Sequence, residues 1–494
     1  MITKSKFIDY CQCPKKAWLK EYKKHLATPV TEEKQHVFDT GREVGTLARE
    51  LFPDGVLIKD PAWEYSQALE NTKRTLKNGT NIIFEGAFTF KNLFARIDIL
   101  EKNEDASWDL IEVKSSTSTK EGNFHVEDLA IQKLILGNAG IKINKSYIKH
   151  LNKEYIKRGT LELQKLFART DLTQEVEATM PKLIEDLNKF VGILKKKEEV
   201  EAKIGSHCYT PYECDFKDYC WGEVKTESIL NLYYKKGIDK FELFYSGIKT
   251  LSDIKDTNNL SETQKLQVKS FVDQEAKISK SELKTLLNTL EYPLYFLDFE
   301  TCMTGVPMFE NIWPYQQVVT QASLHIKENE SSELRHLEIL SDHSSEPSKE
   351  VAKFLCEAIG DKGSVIVWHK TFEKGRLKEM GEMHSEYKEK LDQINSRVWD
   401  LKDPFKDAFY IDYRFKGSNS IKDVLPVLVP ELSYKELEIQ NGGIAIIKYL
   451  QMINKETPQN EREQIKENLL KYCELDTLAM VEIFEKLQEV IVEV

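Results

Sequence analysis

Two acidic residues lie on one face of an otherwise apolar stretch, YFLDFET at residues 295–301. In an extended strand successive side chains point to opposite faces, so Asp298 and Glu300 share a face and stand about 7 Å apart. At an effective dielectric constant of about 20, two such charges repel each other by roughly 2.5 kcal/mol, before any cost of burial. We therefore expect positive charge between them, and carboxylate oxygens suit Mg²⁺ or Mn²⁺.

Two later stretches carry residues that can complete a metal site around this pair. LLKYCELDTLAM places Tyr472 and Asp476 four residues apart, and so on one face of a helix. VIVWHKTFEKGRL predicts a strand followed by a helix that carries Glu373. Alone, Glu373 is more often an acid favoured at a helix start, and the tyrosine and aspartate a solvated helix face. Because Glu373, Tyr472 and Asp476 occur together after the two strand acids, a metal site is favoured over these separate explanations.

The order of these residues resembles that of the DEDD exonucleases, which have the DnaQ-like, ribonuclease-H-like fold. The resemblance covers roughly residues 290–494. It implies that Tyr472 orients the attacking water and that four acids hold two divalent cations: Asp298, Glu300, Glu373 and Asp476. Two cations about 4 Å apart can activate water and stabilise both the pentacovalent phosphate and the leaving oxyanion. The family usually has Asp where this chain has Glu373.

Between these motifs lie two further polar groups. Asp400, at the end of a predicted strand, either supports the metal ligands or, as we favour, has a structural role. Ser418, Ser420 and Lys422 lie on a loop that enters a helix. Related exonucleases contact substrate with such a loop, but a helix N-cap with a surface lysine explains it equally well.

A second acidic constellation occurs in the N-terminal half. In ARIDILEKNEDASWDLIEVKSS, Asp98 lies on one predicted strand, and Glu112 and Lys114 face the same way on the next. Glu-x-Lys alone is weak, because alternating charges on edge strands are common. An Asp followed by a strand with Glu-x-Lys resembles the PD-(D/E)XK nucleases, in particular their RecB-like branch. The resemblance implies that Asp98 and Glu112 bind metal and that Lys114 orients water and steadies phosphate charge.

Other positions extend this resemblance or depart from it. Gln132 lies on a predicted helix, as in the RecB-like motif, and is included in the catalytic set. Glu85 precedes the Asp98 strand as an additional acid. The usual Tyr after the Gln is Leu136 here, and the His of the early Gly-x3-His motif is Gly45, so one possible metal ligand is missing.

Four cysteines form a candidate cofactor site. HCYTPYECDFKDYCW spaces three of them evenly, and CQCPKKAWL offers Cys13, with Cys11 as a possible substitute. Three clustered thiols and a distant one suit a 4Fe-4S cluster, as in RecB-like nucleases with an iron-sulfur clasp. Zinc is the main alternative, although zinc sites favour Cys-x2-Cys pairs. The four ligands are Cys13, Cys208, Cys214 and Cys220, whereas Cys302, Cys356 and Cys473 are expected to be buried singly.

A basic stretch offers contacts for a nucleic acid. GIKINKSYIKHLNKEYIKRG interleaves lysines and Arg158 with Tyr147 and Tyr155, so phosphate contacts and base stacking are both available. A solvated lysine-rich surface explains the stretch about as well.

The composition of the chain restricts which of these functional interpretations are possible. A chain of 494 residues with 41% hydrophobic residues suggests roughly three globular domains. We expect a cytoplasmic protein without membrane association, because the start of the chain lacks the apolar centre of a signal peptide and no long apolar stretch occurs. Eight cysteines in a reducing compartment then indicate a cofactor rather than disulfides. The net charge of -11 argues against a protein that coats nucleic acid non-specifically.

The elements that must position these residues predict an α/β fold. We expect a PD-(D/E)XK, restriction-endonuclease-like domain with the iron-sulfur clasp over residues 1–222 and a helical connector over 223–287. Residues 288–494 are expected to form a ribonuclease-H-like mixed sheet with flanking helices, ending in a long helix over roughly 461–490.

As a whole, the chain resembles an uncharacterised bacterial family that fuses a RecB-like iron-sulfur nuclease to a DnaQ-like domain. The resemblance implies a metal-dependent nuclease with two sites, acting on DNA or single strands in repair, recombination or phage defence, with a 3′–5′ exonuclease in its C-terminal domain. Two alternatives stay open: a nucleic-acid-binding protein in which one site is a degenerate clamp, and a redox sensor gated by the cluster.

Overall fold

The computed structural model describes residues 1–119, 123–342 and 345–492 as a mixed α/β protein. The chain divides into two compact units. Unit 1 comprises Met1–Glu223 and Thr304–Gln316, and unit 2 comprises Val224–Met303 and Gln317–Val494. The stretch expected to be a helical connector, residues 223–287, thus lies almost wholly within unit 2.

Unit 1 is built on one mixed sheet. Its strands are β1 (Ile2–Thr3), β2 (Val56–Leu57), β3 (Ile82–Phe90), β4 (Leu93–Lys102), β5 (Trp108–Lys114), β6 (Ile143–Leu151) and β7 (Phe167–Asp171). Its helices are α1 (Lys4–Gln12), α2 (Pro14–Tyr22), α3 (Glu32–Glu50), α4 (Tyr65–Lys77), α5 (His125–Asn138), α6 (Leu163–Leu166), α7 (Thr173–Leu194) and α8 (Lys217–Trp221). The strand order is β2-β3-β4-β5-β6-β7, and β1 pairs with β4.

The core of unit 1 explains why its polar site residues are buried. Strands β4 and β5 follow the stretches predicted to carry Asp98 and the pair Glu112 and Lys114, and helix α5 carries Gln132 as predicted. Apolar residues of α5, among them Leu129, Ile131 and Ile135, are fully buried against the sheet. Gln132 lies between them and is fully buried too, so its amide must find partners inside the unit.

Unit 2 contains the second main sheet. Its strands are β8 (Lys277–Ile278), β9 (Leu294–Cys302), β10 (Val318–Lys327), β11 (Arg335–Leu340), β12 (Ser364–Val367), β13 (Val398–Asp400) and β14 (Tyr410–Ile411). Its helices are α9 (Lys240–Tyr245), α10 (Glu262–Asp273), α11 (Lys280–Leu287), α12 (Ser348–Ala358), α13 (Lys370–Met383), α14 (Lys388–Ser396), α15 (Asp403–Lys406), α16 (Ile421–Leu428), α17 (Gly442–Ile453) and α18 (Gln459–Val492). Across the described ranges, none of the helices is both long enough and apolar enough to cross a membrane.

The main sheet of unit 2 separates an apolar face from a polar one. Its order is β11-β10-β9-β12-β13, with β10 antiparallel to both neighbours and β9, β12 and β13 parallel. Leu297 and Phe299 point into the apolar core with helices α12 to α14. The alternate residues face α18, where the rings of Phe296 and Phe484 lie 5.7 Å apart. The predicted alternation along β9 is confirmed, and it presents both strand acids to α18.

Residues 304–316 connect β9 to β10 in the chain but are packed within unit 1. Their backbone pairs with that of residue 157: Asn311 N donates to Lys157 O at 2.8 Å. Val306 and Tyr315 pack against a buried cluster that includes Tyr155. The segment is therefore an integral part of the core of unit 1.

Candidate metal and cofactor sites

Three acids of unit 2 converge on one point. Asp298 and Glu300 extend from β9, and Asp476 extends from α18, which packs across β9 and β10. One carboxylate oxygen of each lies within 4.8 Å of those of the other two. The predicted strand and helix motifs are thus brought together, although they are far apart in the chain.

The electrostatics of this group favour a bound cation. Burial, followed by the charges of Asp476 and Glu300, raises the pKa of Asp298 well above its usual range. Burial and the charge of Asp476 raise the pKa of Glu300 to about 8, against an opposing effect of Lys422. Burial also raises the pKa of Asp476 to about 6. Because these shifts arise from desolvation and mutual repulsion, a divalent ion between the oxygens would reverse them.

Two tyrosines and a lysine surround Asp476. Tyr434 donates a 2.6 Å hydrogen bond to Asp476 Oδ1. Lys422 Nζ lies 2.7 Å from Gln440 O and 3.5 Å from the hydroxyl of Tyr472. Tyr472 is buried, and burial together with the charge of Asp476 raises its pKa, so it remains a neutral phenol. Tyr434 was not predicted, since it comes from a short turn 42 residues before Asp476.

Glu373 lies in the first turn of α13 and is buried. Its Oε2 atom has no hydrogen-bond partner among the described residues, and its charge contributes to the raised pKa of Asp298. Burial raises the pKa of Glu373 itself to about 8. It is outside the group whose oxygens lie within 4.8 Å of one another. A buried carboxylate oxygen without a hydrogen-bond partner suits a metal ligand. The metal role of Glu373 stays a prediction.

Asp400 and Ser420 have structural roles. The carboxylate of Asp400 accepts from the backbone amides of Lys370 and Lys402, both at 3.1 Å, and so holds the start of α13. Ser420 is the N-cap of α16, and its Oγ accepts from Lys422 N. The predicted N-cap at Ser420 is confirmed, while the side chain of Lys422 also reaches the acidic group.

The predicted residues of unit 1 also lie together. Glu112 accepts hydrogen bonds from Lys114 Nζ and Gln132 Nε2, each at 2.8 Å. Asp98 accepts a 2.7 Å hydrogen bond from the backbone amide of Val113. Burial, followed by the charge of Glu112, raises the pKa of Asp98 to about 7. Strand register explains the grouping, because β4 and β5 are antiparallel neighbours.

Sequence reasoning missed two members of this group, Lys4 and Asp128. Lys4 Nζ lies 2.9 and 2.8 Å from the two oxygens of Glu112 and 3.1 Å from Asp128 Oδ1. Asp128 also accepts from Lys114 at 2.7 Å and from Gln132 at 2.9 Å. Burial opposes the charged form of Lys4, but Asp128 and Glu112 outweigh it and raise its pKa. The residues Asp98, Glu112 and Asp128 therefore face two ammonium groups.

The positions that extend or break the RecB-like pattern are also placed. Leu136 is fully buried in the apolar core, so it has no polar role. Glu85 lies 3.6 Å from Arg49, and its charge contributes to the raised pKa of Asp98. Gly45 lies in the middle of α3.

The four predicted cysteines line one cavity in unit 1. Cys13 lies between α1 and α2, Cys220 lies in α8, and Cys208 and Cys214 precede α8 in the chain. Burial raises the pKa of the Cys220 thiol to about 11, and the other three cysteines also oppose its ionisation. Cys11 does not line the cavity but packs against the main core, where burial raises its pKa to about 12. The lining residues include Cys13, Cys208, Cys214 and Cys220, together with Lys15, His207 and Phe216.

The spacing of the thiols bears on the cofactor. The groups of described side chains whose ligand atoms lie within 4.8 Å of one another do not include these cysteines. Four thiolates around one zinc ion, at about 2.3 Å from it, would stand roughly 3.8 Å apart. Whether these thiols hold a zinc ion or an iron-sulfur cluster stays a prediction.

The basic stretch of unit 1 is only partly available to a ligand. Tyr155 is buried and its hydroxyl accepts from Glu162 N, so the expectation that it stacks on bases is wrong. The adjacent apolar residues Leu151 and Leu166 pack with it in one cluster. Tyr147 is half-buried under Arg169, whose guanidinium carbon lies 3.5 Å from the ring centre. Arg158 is exposed.

Comparisons with known proteins give relatives without an assigned function. A family model described as a domain of unknown function (DUF2779) matches residues 295–420, about a quarter of the chain, starting at β9 and ending before Tyr472 and Asp476. An uncharacterized protein of Mycoplasma genitalium is 32% identical over 232 residues, covering 43% of this chain and 34% of that protein. An uncharacterized protein of Ureaplasma parvum is 29% identical over 317 residues, covering 57% of this chain and 44% of its own length. The chain thus spans less than half the length of these relatives.

Proposed function

We propose that this chain is a divalent-metal-dependent nuclease whose hydrolytic site lies in unit 2. The observation that carries the proposal is the convergence of Asp298, Glu300 and Asp476 in a buried position, with oxygens within 4.8 Å of one another. Among the residues that the structure describes, Lys422 is the ammonium group whose charge acts on Glu300 and Asp476. A buried group so short of positive charge is costly unless it binds cations.

The topology supports a ribonuclease-H-like fold for unit 2 and a PD-(D/E)XK-like fold for unit 1. In unit 2 an antiparallel set, β11-β10-β9, continues into the parallel strands β12 and β13, with helices on both faces. In unit 1 the antiparallel strands β3, β4 and β5 precede α5, and β6 then pairs parallel with β5. In both units the acids extend from central strands of the sheet.

The residues of unit 2 have separable tasks in this proposal. Tyr434 fixes the rotamer of Asp476 through its 2.6 Å hydrogen bond. Tyr472 presents a neutral hydroxyl that can orient water, and Lys422, beside it, can contact a phosphate oxygen. Glu373 offers an unpaired oxygen as a further ligand. When bound, Mg²⁺ or Mn²⁺ would supply the charge that lowers the pKa of water and neutralises the phosphate.

The substrate class follows from this chemistry and from the resemblance to DEDD exonucleases. A phosphodiester in DNA or single-stranded nucleic acid is the expected substrate, with stepwise release of mononucleotides from a 3′ end. The test is degradation of oligonucleotides labelled at the 5′ or the 3′ end, with Mg²⁺, Mn²⁺ or EDTA. A ladder that shortens from the 3′ end with metal, and none with EDTA, is expected. No cleavage in any metal would contradict the proposal.

A second candidate role, a nucleic-acid clamp without hydrolysis, is favoured for unit 1 by one observation. Lys4 Nζ contacts both oxygens of Glu112 and one of Asp128, where a metal would otherwise be expected. Glu112 and Asp128 are thus neutralised from within the chain. Whether unit 1 also cleaves is tested by Lys114→Ala in an Asp298→Asn background: remaining cleavage that disappears in the double variant would assign hydrolysis to unit 1.

The cysteine cavity is proposed to hold a 4Fe-4S cluster that joins the start of unit 1 to the end of its first part, near Glu223. Support comes from the four thiols lining one cavity and from the lack of the Cys-x2-Cys pairs that zinc sites favour. Such a cluster would link α2 to α8, which are about 200 residues apart in the chain.

Purification without oxygen tests the cluster. We expect brown protein with about four irons per chain, as a 4Fe-4S centre requires. Cys13→Ser should lose iron and melt at a lower temperature, because unit 1 loses a link between its ends. Cys11→Ser is the matched control, since Cys11 lies outside the cavity. Stoichiometric zinc without visible absorbance would contradict the cluster.

A further inference from the structure

A group of metal-binding side chains in unit 2 lies outside the acidic site. It consists of His325 on β10, His336 on β11 and Glu474 on α18, with one ligand atom of each within 4.8 Å of the others. The two histidines are direct partners in the antiparallel register, and their rings stack at 4.4 Å. Three different elements thus contribute to one point.

Hydrogen bonds fix which ring nitrogens are available. His325 Nδ1 lies 2.8 Å from the hydroxyl of Thr477, and His336 Nε2 lies 2.9 Å from the hydroxyl of Ser323. These two hydroxyls are 2.7 Å from each other. Nε2 of His325 and Nδ1 of His336 therefore remain for a ligand, and the latter is 3.6 Å from Glu474 Oε1. Metal-binding histidines typically have the other nitrogen held in this way.

The burial of the three residues suits a site that an ion can reach. His325 is 4% exposed, whereas the side chain of Glu474 is 46% exposed, so the group opens toward solvent on one side. Glu338 is two residues from His336 on β11 and therefore faces the same way, which adds a second carboxylate nearby. The negative charge favours a cation, and the open side provides a path to it.

We propose that His325, His336 and Glu474 bind a divalent transition-metal ion, with Zn²⁺ as the best match. Two imidazoles and one carboxylate form a nitrogen-rich set that prefers zinc to Mg²⁺, and they leave a fourth position for water. This site is independent of the proposed nuclease function, because it uses other ligands and another class of metal.

The position of the site gives it a structural task. β11 is an edge strand of the sheet, and α18 carries Tyr472 and Asp476. An ion held by β10, β11 and α18 fastens the edge strand to that helix. It thereby restrains the rotation and translation of α18 relative to the strand acids.

The test uses the full chain and Zn²⁺ itself as the probe. Metal-free protein is incubated with a small excess of Zn²⁺ and desalted, and its zinc content is compared with that of Glu474→Gln and His336→Asn. Wild type is expected to keep one zinc per chain more than either variant. The cysteines are the same in all these proteins, so zinc bound to thiolates cancels in the difference.

Matched controls separate this site from the others. Glu467→Gln changes an exposed acid on the same helix, ion-paired with Lys471, and should keep the additional zinc. Asp298→Asn should keep it too, even where cleavage is lost, so failure of the nuclease proposal leaves this one intact. Millimolar Mg²⁺ should not displace it. Equal zinc content in wild type and both site variants, each confirmed as folded by thermal melting, overturns the proposal, as does displacement by Mg²⁺.

Discussion

The acidic groups of the two units use similar residues but differ in how their charge is balanced. In unit 1, Asp98, Glu112 and Asp128 share a site with two lysines, and Lys4 and Lys114 each contact two of the acids at 2.7–3.1 Å. In the described part of unit 2, three carboxylates have one neighbouring ammonium group, Lys422, which is 2.7 Å from Gln440 O. Both sites contain three acids, but the site of unit 2 has fewer lysines beside them and is therefore more negative.

This difference shows why acidic motifs alone are weak evidence for metal binding. A carboxylate that already contacts a buried lysine gains less from a cation, because the charges are compensated inside the protein. A carboxylate whose pKa is raised by neighbouring acids gains more from a bound cation. The comparison thus ranks unit 2 above unit 1 as the site of metal-dependent chemistry, and the following changes test that ranking.

The largest effect is expected from Asp298→Asn. It removes a central acid of the proposed metal site in unit 2, so release of mononucleotides should fall by about hundredfold or more. The measurement is the initial rate on an end-labelled oligonucleotide with Mn²⁺. Asp361→Asn, whose side chain is 85% exposed, is the control and should retain full activity.

Glu373→Ala extends this test to the acid whose role stays a prediction. If Glu373 is a ligand, its variant should behave like Asp298→Asn. Full activity in Glu373→Ala would show that another acid completes the site, and full activity in Asp298→Asn would remove hydrolysis from unit 2.

Lys4→Gln probes the internal balance of unit 1. Removing one partner of a buried ion pair leaves unpaired carboxylates, so we expect the free energy of unfolding to fall by about 3 kcal/mol. Added Mn²⁺ should restore part of this loss if the acids can bind metal. Lys6→Gln, two residues away and paired with Glu21 at the surface, is the matched control. A loss that Mn²⁺ does not reverse would make unit 1 a site without metal.

A pH dependence tests the proposed metal site of unit 2. The pKa of Glu300 is raised to about 8, so its protonation stabilises the metal-free fold and this contribution is lost as the pH rises through 8. Bound Mg²⁺ requires the ionised form. The gain in melting temperature from Mg²⁺ should therefore increase between pH 6 and pH 8. Glu300→Gln should flatten this increase, and a gain that shrinks with pH would contradict the argument.

The smallest effect is expected from Tyr434→Phe. It removes the hydrogen bond that orients Asp476 but keeps the ring, so metal affinity should weaken by about tenfold. Calorimetric titration with Mn²⁺ measures this directly. Tyr413→Phe, at the partly buried turn before α16, is a suitable control. An unchanged affinity would mean that Asp476 is held by other contacts.

What the sequence predicted depended on local periodicity. The shared face of Asp298 and Glu300, the helix of Tyr472 and Asp476, and the helix of Gln132 follow from repeats of two or about 3.6 residues. Lys4 was not predicted because it is 108 residues from Glu112 and no sequence pattern links the two residues. The prediction for Tyr155 was wrong because an aromatic residue among lysines gives the same sequence pattern whether it stacks on a nucleic-acid base or packs in the protein core.

The pairing of residues 304–316 with unit 1 has a consequence for synthesis. About 80 residues lie between the end of the first part of unit 1 at Glu223 and this segment. At about 5–20 residues per second, a ribosome needs roughly 4–16 seconds to supply them. During that interval the apolar cluster that receives Val306 and Tyr315 is uncovered. The N-terminal part of unit 1 can therefore complete its apolar core only after residues 304–316 have been synthesised.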